Sequence, residues 1–371
     1  MPSPAGAQSL LASAGLGIPA EPLDARARAL GGSGIGQPGW HLLPTDPAAA
    51  AGVALPTISA SFQPTRATLR DGRSAGHARF PTAVVAYPLW GNVFSVGFAS
   101  VLDQEWEVVA NRTIDLNGTE VSAIDIFRSR GNLSRVQVGW ARQVGGNFGL
   151  GVTVGSYAGA LERSFVRLLD TDTAGQGVEA FAIQGRWRAS GVVAGAGVAW
   201  DPSALIRIAA AVTWSDKLAL SPSTGVTPEG GEYSIPLELR AGATAILAPG
   251  FGVSAGVVFA DWSAVGEELG AGTTREASWS YGGGIEWARA TLFGRTLPLR
   301  AGVRHQDLPF HFDGSPAQER TLSAGFGLEL VESEGQPIAR LDFGLERGTR
   351  SAQGLSESFL RTTLSVRLAG G

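Results

Sequence analysis

The sequence predicts an all-β protein: a transmembrane antiparallel β-barrel of about 14 strands with an N-terminal hatch segment. Three observations predict it. Segments of period-two alternation follow one another from Trp140 onward with no helical stretch between them, and three more precede it. The face opposite the Leu and Val stripe is rich in Gly where a water-soluble surface would carry Lys and Glu. Short and long connections alternate along the chain, as they do in barrels with tight turns at one end and long loops at the other.

Bulk composition narrows the choice before any element is placed. The chain has 371 residues, 52 of them Gly, with no Cys and only 17% charged residues; globular proteins usually carry about a quarter. Mean hydropathy is +0.10, yet no apolar run reaches the length of a membrane helix, the longest candidates being 48–56 and 191–200. A membrane protein of this sequence has to be a β protein. Net charge is −4 and the basic residues are scattered Arg with Lys217 as the single Lys, which leaves no nucleic-acid footprint. Without Cys there is neither a disulfide framework nor a thiolate metal site. Three glycosylation-type triplets, at Asn111, Asn117 and Asn132, are short enough to arise by chance. No signal peptide heads the chain; Ala5, Gly6 and Ala7 ahead of Gln8 look like the tail of a cleavage site whose charged and apolar parts are missing, and read as a signal-peptide remnant over residues 1–7. The bacterial outer membrane is the expected location of such a barrel.

Taken in order, the strands are 57–62, 82–87, 93–103, 134–140, 148–155, a long or broken one in 177–200, then 206–214, 233–244, 251–262, 278–287, 297–306, 321–330, 338–346 and 359–368. In the eleventh, Leu297, Leu299, Ala301 and Val303 point one way and Arg300, Gly302, Arg304 and Gln306 the other. The short turns are 88–92, the segments beginning at Gln143, Asp201 and Leu247, and one beginning at Glu332; residues 63–79, 106–131, 160–176, 216–231, 263–274, 307–318 and 348–356 read as long polar loops. The Gly-rich face is expected to keep a lumen open. It also carries charges of opposite sign on neighbouring strands: Glu286, Arg300, Arg304, Glu329, Arg340, Asp342, Glu346, Arg361 and Arg367. Arg300 and Arg304 are expected to face Glu286 and Glu329. Outward Trp140, Trp200, Trp214 and Trp287 beside short turns form a girdle, with Trp279 and Tyr281 at the other edge.

Residues 1–50 do not alternate and so cannot be wall, which places the barrel at 51–371. They carry Leu10, Leu11, Leu16, Ile18, Leu30, Trp40, Leu42 and Leu43, too apolar for a solvated tail, and the lumen is the place that hides them from water. The stretches ARALGGSGIG (27–36), TDPAAAAGVALPTISASFQP (45–64) and IPLELRAGATAILAPGFGVSAGVVFADWSAV (235–265), with SYGGGIEW and LPLRAGVRHQDLPF, resemble the FadL-type outer-membrane transporters of long-chain fatty acids and other hydrophobic compounds. Asp46, Pro47 and Ala48 stand at that family's Asn-Pro-Ala hatch signature, with Asp in place of Asn; the closing RLAGG lacks its usual terminal aromatic. The resemblance implies passive uptake of a hydrophobic ligand through a plugged barrel, with sideways exit at a kinked third strand. Gly97, Ala99 and Val101 are the kink candidates here.

No enzyme or metal site is legible. His41, His77, His305 and His311 lack ligand spacing, and no nucleophile motif occurs, so no cofactor is expected. The expected partners are a hydrophobic small molecule and the lipid and lipopolysaccharide of the outer membrane. The alternative function is a scaffold or secretion shuttle holding a protein partner at the long loops.

Overall fold

The computed structural model describes residues 17–39, 41–69, 74–116, 118–169, 181–225, 230–263, 277–292, 294–312, 314–333, 336–352 and 354–370. Leu10, Leu11, Leu16 and Trp40 lie outside them. The wall consists of β1 (Thr57–Leu69), β2 (Ser74–Arg79 and Thr82–Leu89), β3 (Asn92–Asp103 and Trp106–Leu116), β4 (Thr119–Val144), β5 (Phe148–Leu169), β6 (Phe181–Ser190 and Val192–Ser203) and β7 (Ile206–Ser215 and Leu218–Gly225). It continues through β8 (Gly231–Tyr233 and Glu238–Ala248), β9 (Phe251–Asp261), β10 (Ala277–Trp287), β11 (Leu299–Phe312), β12 (Ser315–Ser333), β13 (Gln336–Ala352) and β14 (Leu355–Ala369). Each strand pairs antiparallel with the next, and β14 returns to β1 with Thr57 opposite Ala369 and Ile58 opposite Leu368. The 14 strands therefore close a ring, and closure removes the free edges of an open sheet.

The two faces sort as the alternation requires. Val303 is 57% exposed and its neighbour Arg304 only 6%. Leu322, Ile58, Val96, Val154 and Leu368 likewise lie bare on the outside. A continuous exposed apolar belt of this kind is stable only under lipid. Trp200, stacked on Phe148, and Trp287 mark one edge of the belt. Trp214 does not join them: β7 begins at Ile206 beside the short turn, so Trp214 stands eight residues along, near the opposite edge with Trp279 and Tyr281.

Most of the expected long loops are strand. β3 and β4 stay paired from Trp106 opposite Ser129 to Leu116 opposite Thr119, β11 runs to Phe312, and β13 and β14 pair up to Ala352 opposite Leu355. β4 reaches 26 residues, well past the ~9–11 that cross a bilayer. These segments read as loops because polar residues dominate once the strands leave the apolar belt. Antiparallel pairing continues regardless, since each backbone group still needs a partner.

The filled lumen and a break in its wall: the candidate functional site

The N-terminal segment, described over residues 17–39 and 41–53, is buried almost throughout those residues. It begins with a two-residue strand, Ile18–Pro19, turns through α1 (Ala25–Ala29), and ends in a 3-10 turn, Pro47–Gly52. The two helical pieces are each fixed locally by a carboxylate cap: Asp24 accepts from the Ala27 amide at 2.8 Å, and Asp46 from the Ala49 amide at 3.2 Å, with Pro47 at the first position of the turn. Asp46 also accepts from the Gly36 amide at 3.3 Å, which ties the Gly-rich stretch to the turn.

The glycines of the inner face receive this segment instead of holding the lumen open. A Cβ on Gly302 would collide with the amide of Gly31, one on Gly284 with Leu30, one on Gly242 with Ile35, and one on Gly151 with Pro47. The backbone of the segment thus lies directly on the backbone of the wall, a contact that only Gly permits. Among the predicted hatch residues, Ile18 packs on Leu308 and Phe310, Leu42 on Val53, Val84 and Val93, and Leu43 on Leu23 and Ala27. Asp46, Pro47 and Ala48 are buried against β5, β6 and β7.

Charge holds the other half of the segment. Arg26 meets Glu286 at 3.0 Å; Glu286 also accepts from Arg300 at 2.5 Å, and Arg300 reaches Asp342 at 2.7 Å. Arg28 approaches Glu346 at 3.7 Å, Asp24 lies 3.7 Å from Arg367, and Arg304 bonds Glu21 and, at 2.9 Å, Ser280. Arg300 faces Glu286 as the pattern of charges predicts. Arg304 does not face Glu286 or Glu329: Glu329 pairs with Arg340 at 3.8 Å, and the partner of Arg304 comes from the N-terminal segment. Arg361 lies 3.4 Å from Glu346 and 3.6 Å from Glu319, while Arg350 bridges Glu319 and Glu357. Glu319, Arg350 and Glu357 are lumenal residues that the sequence reading missed, because they fall in or beside stretches read as loop. Glu21, Asp24, Arg26 and Arg28 of the segment carried no sequence signal, because an irregular stretch has no periodicity that assigns its charges a face.

Burial disturbs the titration of the segment. It pushes Asp46 up to about 6, against the pull of the Gly36 amide, and drives His41 down to about 4 despite Asp24. Burial would raise Glu21 too, but Arg304, Arg240 and Arg28 outweigh it and hold this carboxyl below its ordinary range.

The wall is interrupted between β2 and β3. Their pairing runs from Leu89 opposite Asn92 to Thr82 opposite Ala99; the last links are the Ser100 amide to the Pro81 carbonyl and the Ser100 hydroxyl to the Phe80 carbonyl, both 2.9 Å. Pro81 has no N–H to extend the ladder. Above it, residues 74–79 of β2 pair with β1 alone among the described residues. β3 bulges at Val101 against β4 and takes the N-terminal segment as its other neighbour: Pro19 opposite Leu102, Ile18 opposite Asp103, and the Ala20 amide on the Val101 carbonyl at 2.8 Å. Gly97 lies below this point in regular register with Val84 and Gln137, and Ala99 is the last residue before the break. A cavity of about 300 Å³ opens at the break, lined by His77, Arg79, Leu102 and Asp103.

The chain has the fold of the FadL-type hydrophobic compound transporters. Among solved structures it is similar to the toluene transporter TbuX of Ralstonia pickettii, with a TM-score of 0.64 and 15% identity over 95% of this chain and 99% of that one. A Pseudomonas aeruginosa FadL homologue matches with a TM-score of 0.61 at 13% identity, covering 94% and 98%. The CymD monoaromatic hydrocarbon channel matches with a TM-score of 0.58 at 14% identity, covering 97% of both chains. No family model matches the sequence, and no curated protein does.

Proposed function

We propose that the chain is an outer-membrane channel for passive uptake of hydrophobic small molecules, from aromatic hydrocarbons to long-chain fatty acids, with the N-terminal segment as plug and the break between β2 and β3 as a sideways exit. The observation that carries this reading is the junction at Val101 to Asp103, where the segment supplies hydrogen bonds that β2 no longer gives. A ligand that prefers apolar surroundings gains nothing from a straight aqueous pore, whereas a gap in the wall delivers it to lipid. Displacing two residues of segment strand opens that gap without unpairing the rest of the barrel. The names of the structural neighbours, two aromatic-hydrocarbon carriers among them, support the same substrate class.

The natural absence of Cys makes a clean test available. Pro19 and Leu102 are direct cross-strand partners, within the Cα separation a disulfide accepts. In outer-membrane vesicles, Pro19→Cys with Leu102→Cys should take up a fluorescent aromatic or fatty-acid probe only after reduction, while either single variant behaves as the parent does. Equal uptake by the oxidised and reduced double variant would remove the exit from the mechanism.

A further inference from the structure

On the outer face, two adjacent rows of outward side chains run across the strands. The lower row passes from Ile208 on β7 through Ala243, Ala255, Gly283, Val303 and Leu322 to Arg347 on β13. The upper one passes from Ala241 through Val257, Tyr281, His305 and Arg320 to Thr349. Because β8, β9 and β10 contribute Ala and Gly here, the wall is hollowed into a trough of about 1130 Å³. Seven strands spaced ~4.8 Å apart make it roughly 29 Å long. It is also inclined: Ile208 lies two residues from the short turn that precedes β7, whereas Arg347 lies five residues below the hairpin end of β13 at Ala352.

Charge is confined to the raised end. Arg320 and Arg347 are diagonal neighbours on β12 and β13, both exposed, and neither forms an ion pair among the described residues; Arg320 donates only to Gln318, at 3.5 Å. His305, directly opposite Arg320, lies beside Tyr281 with ring centroids 5.1 Å apart and the planes tilted by 35°. The carboxylate near this group is Asp307, 3.6 Å from His305. Two guanidinium groups at the edge of an apolar belt, facing outward and in no ion pair with a carboxylate among the described residues, are arranged for phosphate. The trough that leads down from them is arranged for an acyl chain.

We propose that this trough binds lipopolysaccharide, with the phosphates of its lipid anchor on Arg320 and Arg347 and an acyl chain along Ala255 and Ala243. The assignment rests on the outer-membrane reading above, since the hairpin end of the barrel then faces the leaflet that holds this lipid. A phosphorylated lipid anchored there would cover the thinnest part of the wall, where Gly242, Gly256 and Gly282 form the inner layer and the N-terminal segment lies directly behind them.

The test uses the full-length protein in detergent, incubated with vesicles of lipopolysaccharide or of phosphatidylglycerol, with bound lipid counted by native mass spectrometry. The parent should retain lipopolysaccharide in preference to phosphatidylglycerol. Arg320→Gln with Arg347→Gln should lower retention by roughly tenfold or more, the loss of two charge-assisted contacts. Ala255→Phe, which fills the trough and leaves both cations in place, should lower it too. All variants are exposed-face changes and should keep the heat-modifiable band of a folded barrel. Retention that is the same in parent and variants, or parent binding of both lipids alike, would overturn the proposal. Probe uptake, measured separately, tests the transport reading; loss of uptake with lipid binding intact would contradict that reading and leave this site standing.

Discussion

Glu21 and Arg304 come from positions 283 residues apart and meet inside the barrel, one of the side-chain pairs that link the segment to the wall. Removing Arg304 takes from the buried Glu21 its hydrogen-bonded partner and leaves it only the more distant field of Arg240 and Arg28, a loss bounded by the roughly 3–5 kcal/mol that a fully orphaned buried charge costs. Arg304→Leu should therefore loosen the segment, seen as faster protease cleavage within residues 17–53, while the barrel stays folded; adding Glu21→Gln should restore part of the loss, because the orphaned charge is gone. Val303→Arg, one residue away, should instead impair assembly of the barrel itself by ~2–4 kcal/mol, since Val303 faces lipid. Normal assembly of Val303→Arg alongside failure of Arg304→Leu would mean the two faces are inverted. Asp46 adds a pH dependence of known sign. Its folded pKa, about 6, lies above the ordinary 3.8, so its contribution is fully favourable below pH 3.8 and is lost as pH rises through about 6. Asp46→Asn keeps the cap without the charge. The variant should match the parent near pH 4 and hold the segment more tightly at pH 8, by a margin on the order of 3 kcal/mol; equal protection of the two at pH 8 would contradict the assignment.

The strands and the segment fit each other by subtraction. Gly302 on β11 faces the amide of Gly31 at a distance that leaves no room for a side chain, so Gly302→Val should unseat the 30–32 turn and raise basal ion leakage, with heat-modifiability retained. An unchanged leak in that variant would show that the contact is not needed for closure. Much of this architecture could be read from the chain. Alternation at positions such as 299 to 306 fixed which residues face lipid, because a period of two allows only two choices and the Gly-rich side could not be a water-facing surface. The extents of the strands were less legible: at 106–131 and 307–318 the apolar signal stops at the edge of the belt, but the hydrogen-bond ladder does not. Among the wall charges, the pairing of Arg300 with Glu286 was legible from adjacent strands, but the partner of Arg304 was not, since Arg304 finds Glu21 through the placement of an irregular segment that no periodicity encodes. The break at Ser100 was nearly readable. Pro81 marks it, whereas Gly97, the small residue in the middle of the strand, sits where the pairing is regular.

Among the described residues the molecule is a ring whose interior is occupied by the segment that begins at residue 17. Its seat combines flush backbone contact on Gly, apolar clusters around Leu42 and Leu43, and ion pairs shared with wall charges that are also paired among themselves. Because Glu286 keeps Arg300, and Glu319 keeps Arg350 and Arg361, loss of the segment leaves most wall carboxylates partnered. In the proposed mechanism the barrel accordingly stands without its filling, and a ligand competing for the same apolar surface shifts the segment without an energy source. The most direct measurement is single-channel conductance in planar bilayers of the parent and of a deletion of residues 8 to 42, paired with binding of a fluorescent aromatic or fatty-acid probe to the parent. The deletion should fold and conduct ions freely, while the parent stays nearly closed and binds the probe. A deletion that conducts no more than the parent, with a parent that binds no hydrophobic probe, would contradict the account of the segment as the gate of a hydrophobic channel.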